Sequence, residues 1–205
     1  TRDITGEEFY STIYSVRESS IEEGLIWVGA NDGPVHVTSD GGKNWKNVTP
    51  NINIKGGRVD SVEPSTHNSS KAFVTILRYQ LGDWKPYIYR TYDKGNSWDL
   101  VTKGIPSDHP VRVLREDPKR EGLLFAGTEF GMFISFDDGN TWNSFQQNLP
   151  VTPITDIKIH RNDVVLSTMG RSFWIMDNID ILRNFDNKNE DILYPITNTI
   201  RYRYR

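Results

Sequence analysis

The sequence predicts an all-β fold of about four consecutive four-stranded units, and three observations carry that prediction. A turn motif recurs three times along the 205-residue chain. Short runs rich in β-branched and aromatic residues flank each copy in the same order, as expected for strands. A long 3.6-residue helical period is not visible, and the one helical candidate is a turn or two around Ile179–Arg183.

The turn motif reads Ser/Thr-x-Asp-x-Gly-x-Ser/Thr/Asn-Trp. Its fixed residues are Asp40, Gly42 and Trp45, then Asp93, Gly95 and Trp98, and then Asp137, Gly139 and Trp142, with 53 and 44 positions from one Asp to the next. The Asp carboxylate can accept hydrogen bonds from backbone N–H groups ahead of it. The Gly can adopt a positive φ, and the Trp offers a large face for burial between sheets. The motif therefore predicts a structural hairpin turn.

Three strand-like runs precede each turn and one follows it. The units cover about residues 9–50, 58–103, 111–148 and 154–178, and the first begins with the run Phe9–Val16. The fourth unit has Asp177-Asn178-Ile179-Asp180 where the turn motif is expected. Four strands per unit of roughly 45 residues is typical of a β-propeller blade. We expect an incomplete β-propeller over residues 1–178, with exposed faces at both ends.

Composition excludes several classes of protein. The chain has 36% hydrophobic residues, 25% charged residues, a net charge of −3 and no cysteine. A disordered chain is excluded, as are disulfides, a thiolate zinc site and a cysteine nucleophile. The net charge argues against a general nucleic-acid binder, and no run approaches the ~20 apolar residues of a membrane span. The four histidines lack ligand spacing, so we expect neither a metal nor a cofactor.

Residues 179–205 are predicted to be a linker and a C-terminal strand. The end of the chain, Ile200–Arg205, alternates aromatic and basic residues. Such a pattern suits a strand with Tyr on one face and Arg on the other, or a segment that stacks nucleic-acid bases. The acidic charge of the whole chain favours the strand. The chain begins with Thr1 and shows no signal-peptide pattern, so we expect a processed chain or a fragment.

The turns resemble Asp-boxes, also called bacterial neuraminidase (BNR) repeats. More specifically, the chain resembles large secreted bacterial proteins described as BNR-repeat or glycosyl-hydrolase-like, with a sortilin-type propeller. Four stretches carry this resemblance: Ile26–Gly33, Lys85–Thr91, Phe125–Gly131 and Gly170–Trp174. The resemblance implies the C-terminal part of a larger propeller, secreted or periplasmic, that acts on or binds glycans. The alternative is a non-catalytic, sortilin-like propeller that binds protein or peptide partners.

Candidate site residues lie on the loops opposite the turn motifs, where propellers usually bind ligands. The candidate acids and bases are Asp32, Asp83 and Glu129, and the candidate ligand contacts are Trp84, Arg58, His109 and Arg171. Four of them also have a structural interpretation: Asp32 and Glu129 as turn caps, Trp84 as a loop anchor and Arg171 as part of an inter-blade ion pair. A glycosidase needs two carboxyl groups about 5–9.5 Å apart, and no complete catalytic set is recognisable. The expected partners are a glycan or peptide ligand, and missing blades or a second copy at the open faces.

Overall fold

The structure, a computed structural model, describes residues 11–51, 56–185 and 194. It confirms an almost entirely β fold of consecutive antiparallel sheets, which we call blades 1 to 4. Each sheet keeps its strands in chain order, so each strand pairs with the next one along the sequence. Blades 1 to 3 have four strands, and blade 4 has three among the described residues.

The strands of each blade run from the centre of the arc outwards. In blade 1 they are β1 Ile13–Glu18, β2 Ile26–Ala30, β3 Val35–Thr38 and β4 Lys46–Asn47; in blade 2, β5 Arg58–Pro64, β6 Ala72–Leu77, β7 Ile88–Thr91 and β8 Asp99–Leu100; in blade 3, β9 Val111–Glu116, β10 Leu124–Thr128, β11 Gly131–Ser135 and β12 Asn143–Ser144; in blade 4, β13 Ile154–His160, β14 Asp163–Thr168 and β15 Phe173–Met176. A short helix, α1, covers Asp180–Asn184.

Apolar layers between neighbouring blades form the core. The first strand of each blade packs against the inner strands of the preceding blade. Val59, Val111 and Ile154 hold the same register position in blades 2, 3 and 4, and all three side chains are fully buried. Gly127 on β10 leaves room for Ile154, because a Cβ there would lie 2.7 Å from its side chain. The repeat thus buries one equivalent residue per blade.

Both ends of the arc are open within the described residues. Ile13 holds the position of Val59 in blade 1 and is 63% exposed. At the other end, Phe173 is 74% exposed, whereas its equivalents Ile88 and Met132 are at most 3% exposed. These side chains match the positions that bury against neighbouring blades elsewhere. The described chain therefore forms an incomplete propeller, as predicted.

Two details differ from the sequence prediction. The fourth unit has no outer strand among the described residues, because α1 follows Met176 where the turn motif and outer strand stand in the other blades. The first strand is Ile13–Glu18, while the start of the predicted run Phe9–Val16 lies outside the described residues. The predicted C-terminal strand Ile200–Arg205 also lies outside them. In the described part, no helix is long and apolar enough to span a membrane.

The three aspartate turns (Asp40, Asp93 and Asp137) share one hydrogen-bond pattern. In the second, Asp93 Oδ1 accepts from the Ser97 N–H at 2.8 Å, and its Oδ2 accepts from Ser97 Oγ at 2.6 Å. The Gly95 N–H donates to Thr91 Oγ1 at 2.9 Å. Because these hydrogen bonds stabilise the ionised form, the pKa of Asp93 falls to about 2. In all three turns both carboxylate oxygens accept hydrogen bonds that close the turn.

Candidate functional site

The two rims of the arc carry different loops. Gly24, between the first two strands of blade 1, approaches the aspartate turn so closely that a Cβ would lie 3.1 Å from the Gly41 nitrogen. On the opposite rim, a Cβ at Gly33 would lie 3.2 Å from the carbonyl oxygen of Gly57. The loops predicted to carry the site, at Asn31–Gly33 and equivalent positions, therefore lie away from the aspartate turns. We call this second rim the loop rim.

A row of aromatic rings crosses from blade 2 to blade 3 on the loop rim. The indole of Trp84 lies 6.5 Å from the ring of Phe130, with 25° between their planes, and 5.7 Å from Tyr79. His109 continues the row, 4.8 Å from Phe130. Trp84 is 46% exposed and Phe130 37%. Both side chains of this aromatic row are thus partly exposed, although rings of this size are mostly buried in proteins.

A line of buried charges runs beneath the aromatic row. Arg58 forms an ion pair with Asp60 on β5, and Arg112 on β9 lies 3.8 Å from the same carboxylate. Arg112 Nη2 lies 2.6 Å from Glu129 Oε1. Burial raises the pKa of Asp60, although both arginines oppose that rise. The line alternates cation and anion from Arg58 to Glu129, which compensates each buried charge.

The charged and aromatic groups are connected by cation–π contacts. The guanidinium of Arg112 lies 5.8 Å from the centre of the Tyr79 ring. At the other end of the line, Arg58 lies 4.4 Å from the ring of Tyr14. Contacts at these distances are attractive because the ring face is electron-rich. The contact between Arg112 and Tyr79 joins the aromatic row to the charge line, so the two form one site.

Asp83 is tied into the loop that carries Trp84. Its Oδ2 accepts from Arg78 Nε at 3.0 Å and from the Tyr87 hydroxyl at 2.7 Å, and its Oδ1 accepts from the Lys85 N–H at 3.3 Å. Partial burial works against ionisation, but these donors hold the pKa of Asp83 below its ordinary value. Asp83 is therefore an ionised anchor that positions Trp84.

A tight turn presents Glu129 and Phe130. The Phe130 N–H donates to Thr128 Oγ1 at 3.1 Å, and that hydroxyl donates to the Gly131 carbonyl at 2.9 Å. Gly131 has a φ of 138°, and a Cβ there would clash with Gln146 at 1.9 Å. Only glycine fits at this point. The turn thus fixes the ring that stacks on Trp84.

The remaining predicted site residues lie elsewhere. Asp32 Oδ2 accepts from Ser11 Oγ at 2.8 Å, and Asp32 lines a cavity of about 390 Å³ on the open face of blade 1. The side chain of Arg171 is exposed on blade 4, where its backbone carbonyl accepts from Trp174 Nε1 at 2.8 Å. The structure thus brings together Asp83, Trp84 and Glu129 with Arg58 and His109, while Asp32 and Arg171 contact neither the aromatic row nor the charge line.

Sequence reasoning missed three members of the site: Asp60, Arg112 and Tyr79. The signal available for two of them was a charge inside an apolar strand run, since Asp60 and Arg112 lie within β5 and β9. Such charges are rarely buried without a partner. Among the described residues, no group of three or more His, Cys, Asp and Glu side chains could hold a metal ion.

Similarity to known proteins agrees with this architecture. No protein family profile matches the chain. A protein of Neosartorya fischeri named "Probable oligoxyloglucan-reducing end-specific xyloglucanase" is 30% identical over 110 residues, which are 51% of this chain and 13% of that protein. The chain thus spans only a small part of this curated relative.

Solved structures show the same fold at low sequence identity. YCF48 bound to D1 peptide superposes with a TM-score of 0.62 at 17% identity, over 82% of this chain and 52% of YCF48. The GH74 xyloglucanase from Xanthomonas campestris superposes with a TM-score of 0.61 at 11% identity, over 80% of this chain and 29% of the enzyme. The chain is a β-propeller segment with a glycosyl-hydrolase-like fold. It spans about half or less of these solved chains.

Proposed function

We propose that this chain is a propeller segment of a larger secreted, glycosyl-hydrolase-like protein, and that its loop rim binds glycans. The observation that carries the proposal is the exposed, stacked pair of Trp84 and Phe130 above a line of compensated charges. Pyranose rings present an apolar face that packs on aromatic side chains. Their hydroxyl groups can pair with arginine and carboxylate groups at the edge of the row. The xyloglucanase similarity supports the same ligand class.

For the carboxylates of this segment we propose binding and positioning roles. Asp83 is held ionised by Arg78 and Tyr87, and Glu129 is paired with Arg112. A general acid in glycoside hydrolysis needs a raised pKa and access to the glycosidic oxygen. The pKa of Asp83 is lowered, the Glu129 side chain is largely buried in its ion pair with Arg112, and Asp32 lies at the open face of blade 1. If the parent protein hydrolyses glycans, its acid and base come from other blades.

A second candidate function is the binding of a peptide or protein partner, as in sortilin-like propellers with BNR repeats. The solved structure of YCF48 with D1 peptide favours it, because the same fold holds a peptide there. An aromatic row flanked by arginines also suits an extended peptide with acidic and aromatic side chains. The glycan remains the preferred ligand because of the sequence similarity to a xyloglucanase over half of the chain.

Retention on polysaccharide gels tests the proposal. Native electrophoresis through xyloglucan should slow the chain, and Trp84→Ala should reduce that retention at least tenfold in apparent affinity. Trp45→Ala is the matched control, since Trp45 is 45% exposed and lies on the face of blade 1 away from the row. Equal retention of both variants would contradict the assignment of the site. Retention on no polysaccharide, together with peptide-array binding lost in Trp84→Ala, would establish the second function.

Catalysis is tested separately with the longest natural chain that contains this segment. We expect any release of reducing sugar from a polysaccharide panel to survive Asp32→Asn, Asp83→Asn and Glu129→Gln. Binding should weaken in Glu129→Gln, because Arg112 would lose its charged partner. Loss of hydrolysis with unchanged binding in one of these variants would make that carboxylate a catalytic residue and would refute our assignment.

A further inference from the structure

The open face of blade 1 carries the residues with which each later blade docks onto the one before it. In blades 2 to 4 two apolar side chains of the first strand make this contact, and all six are buried: Val59 and Val62, Val111 and Leu114, Ile154 and Ile157. The same register positions in blade 1 are Ile13 and Val16, and both side chains are more than half exposed. Blade 1 therefore has a docking surface with no partner blade among the described residues.

The open face of blade 4 repeats the other half of the same interface. The second strand of each blade has a small residue where the next blade docks: Gly29, Thr75, Gly127 and Ser167 in blades 1 to 4. At Gly29 a Cβ would lie 2.7 Å from the Cβ of Val59, so a large side chain there would obstruct the docked blade. Phe173, the cross-strand neighbour of Ser167, is exposed, whereas its equivalents in the other blades are buried. Blade 4 thus keeps both the space and the apolar wall that receive another blade.

The two faces are complementary, because together they contain both halves of an interface that the four blades already form three times. Unlike faces at opposite ends of one chain give head-to-tail contacts, which close into a ring where the rotation between copies allows it. Two copies supply eight blades, and closed propellers have roughly four to eight. For the 205-residue chain on its own, we propose that two copies dock head to tail and close into one ring. Ile13 and Val16 of each copy then pack around Ser167 of the other.

Apolar burial, and not charge, drives this docking. Arg17 and Lys158 hold the same register position in β1 and β13. At that position the covered blades 2 and 3 place Glu63 beside Arg115, 3.3 Å apart. The ring brings two cations together instead, so added salt should leave the association unchanged or strengthen it. Trp45 takes no part, because among the described residues blade 4 has no outer strand whose carbonyl could accept its Nε1–H.

The mass of the chain in solution tests the proposal. Light scattering after gel filtration should give twice the mass of one chain, in low salt and in high salt. Val16→Asp and Phe173→Asp should each lower the association constant by about a hundredfold or more, because docking would bury an unpaired carboxylate. Leu100→Asp is the matched control, since Leu100 is an exposed apolar residue on the outer strand of blade 2. Circular dichroism shows whether each variant stays folded.

A mixture of the two variants tests the head-to-tail arrangement. Val16→Asp has lost the face of blade 1, and Phe173→Asp has lost the face of blade 4. Neither should associate alone. In an equimolar mixture one complementary pair of faces is intact, so a heterodimer should form, more weakly than the wild-type ring because it has one interface in place of two.

Engineered cysteines test the contact itself, because the chain has no cysteine of its own. Oxidation of the double variant Ile13→Cys/Ser167→Cys should give a covalent dimer, since the equivalent positions of Gly29 and Val59 lie within disulfide reach at the interface of blades 1 and 2. Ile13→Cys/Thr168→Cys is the matched control, because successive residues of a strand point to opposite faces of the sheet.

Four outcomes would overturn the proposal. A wild-type chain that stays monomeric at every concentration would show that a second copy does not cover these faces, which would then belong to further blades of a longer chain. Dimers of Val16→Asp alone, or a mixture of the two variants that does not associate, would refute the head-to-tail contact. A ladder of covalent products beyond the dimer would refute the closed ring. The loop rim takes no part in these contacts, so this proposal and glycan binding can fail independently.

Discussion

The third and first aspartate turns contain the same motif in two different surroundings. Trp142, in the third, is 3% exposed and donates to the Val101 carbonyl of the preceding blade. Trp45, in the first, is 45% exposed and donates to the carbonyl of Gly42 in its own turn, at 3.1 Å. Yet the turns themselves are alike, since Asp137 accepts from Thr141 N–H at 2.8 Å and Asp40 from Asn44 N–H at 2.9 Å.

This difference separates two functions of one motif. The hydrogen bonds of the aspartate form the turn from local residues and need no neighbouring blade. The indole, by contrast, is buried only where a preceding blade offers an apolar layer and a carbonyl acceptor. The motif therefore forms its turn from local residues alone, and its Trp links two blades only where a preceding blade is present. The stability that the motif contributes should thus depend on its place in the arc.

The largest expected effect is that of Trp142→Ala. Removal of a fully packed indole costs about 3–5 kcal/mol in typical cores. Trp45→Ala should cost less than about 1 kcal/mol, because its ring is half exposed and its partner is local. Urea unfolding followed by circular dichroism measures both midpoints. Similar losses of unfolding free energy in the two variants would contradict the distinction between the third turn, whose Trp is buried, and the first turn, whose Trp is exposed.

Two lysines of blade 2 extend the same contrast to charges. Lys71 is fully buried between blades 2 and 3, with Nζ 2.8 Å from Glu116 and 3.1 Å from both Glu121 and Asp138. Lys94 reaches Glu22 of blade 1 at 2.6 Å, but both side chains are about one-third exposed. The Lys71 cluster is centred on a fully buried ammonium at the interface of blades 2 and 3, whereas the Lys94–Glu22 pair is partly exposed at the interface of blades 1 and 2.

Lys71→Met should therefore destabilise far more than Lys94→Met. Removal of the buried lysine leaves Glu116 charged and uncompensated, which costs about 3 kcal/mol or more. An exposed pair contributes at most about 1 kcal/mol. Thermal unfolding of the two variants gives the comparison directly. If Lys71→Met unfolded at the wild-type temperature, the buried charge cluster would make no net contribution to folding stability.

The repeat and its strands could be predicted from the sequence because their causes are local. Alternating apolar residues and the aspartate turn act within ten residues of one another, and the strands of blades 1 to 3 followed the predicted runs. Within the described residues, the absence of an outer strand in blade 4 agrees with the lack of a turn motif after Met176. The short helix at Asp180–Asn184 also fell where the only helical candidate had been placed.

The site was harder to predict because its contacts join distant parts of the chain. Arg112 on β9 and Glu129 on the turn after β10 both belong to blade 3, but Asp60, the other neighbour of Arg112, belongs to blade 2. A charge within a strand indicates a partner without saying which one. Likewise, the stacking of Trp84 on Phe130 depends on how closely two loops from adjacent blades approach. The sequence predicts that these two loops lie on one rim, but it does not give the distance between them.

Glu63 offers a smaller, pH-dependent test of the covered blades. It lies on β5, where burial raises its pKa to about 7, although Arg115 and Arg17 oppose the rise. Its ordinary pKa is 4.5, so below pH 4.5 the folded and unfolded states are both protonated. As the pH rises towards 7, the unfolded chain releases this proton first. Folding stability therefore falls across that window, and the loss is complete above about pH 7.

Glu63→Gln removes this titration, so its stability relative to wild type should rise between pH 4.5 and 8 by roughly 1–3 kcal/mol. Glu22→Gln is the control at a partly exposed ion pair between blades 1 and 2. There the hydrogen bond from Lys94 lowers the pKa of Glu22, so its contribution is present above pH 4.5 and is lost on acidification. Urea midpoints at pH 4.5, 6 and 8 measure both variants. Parallel pH profiles for wild type and Glu63→Gln would show that Glu63 stays ionised through its pairing with Arg115. The buried layer around Glu63 would then hold a charged carboxylate as readily as the partly exposed Lys94–Glu22 pair does.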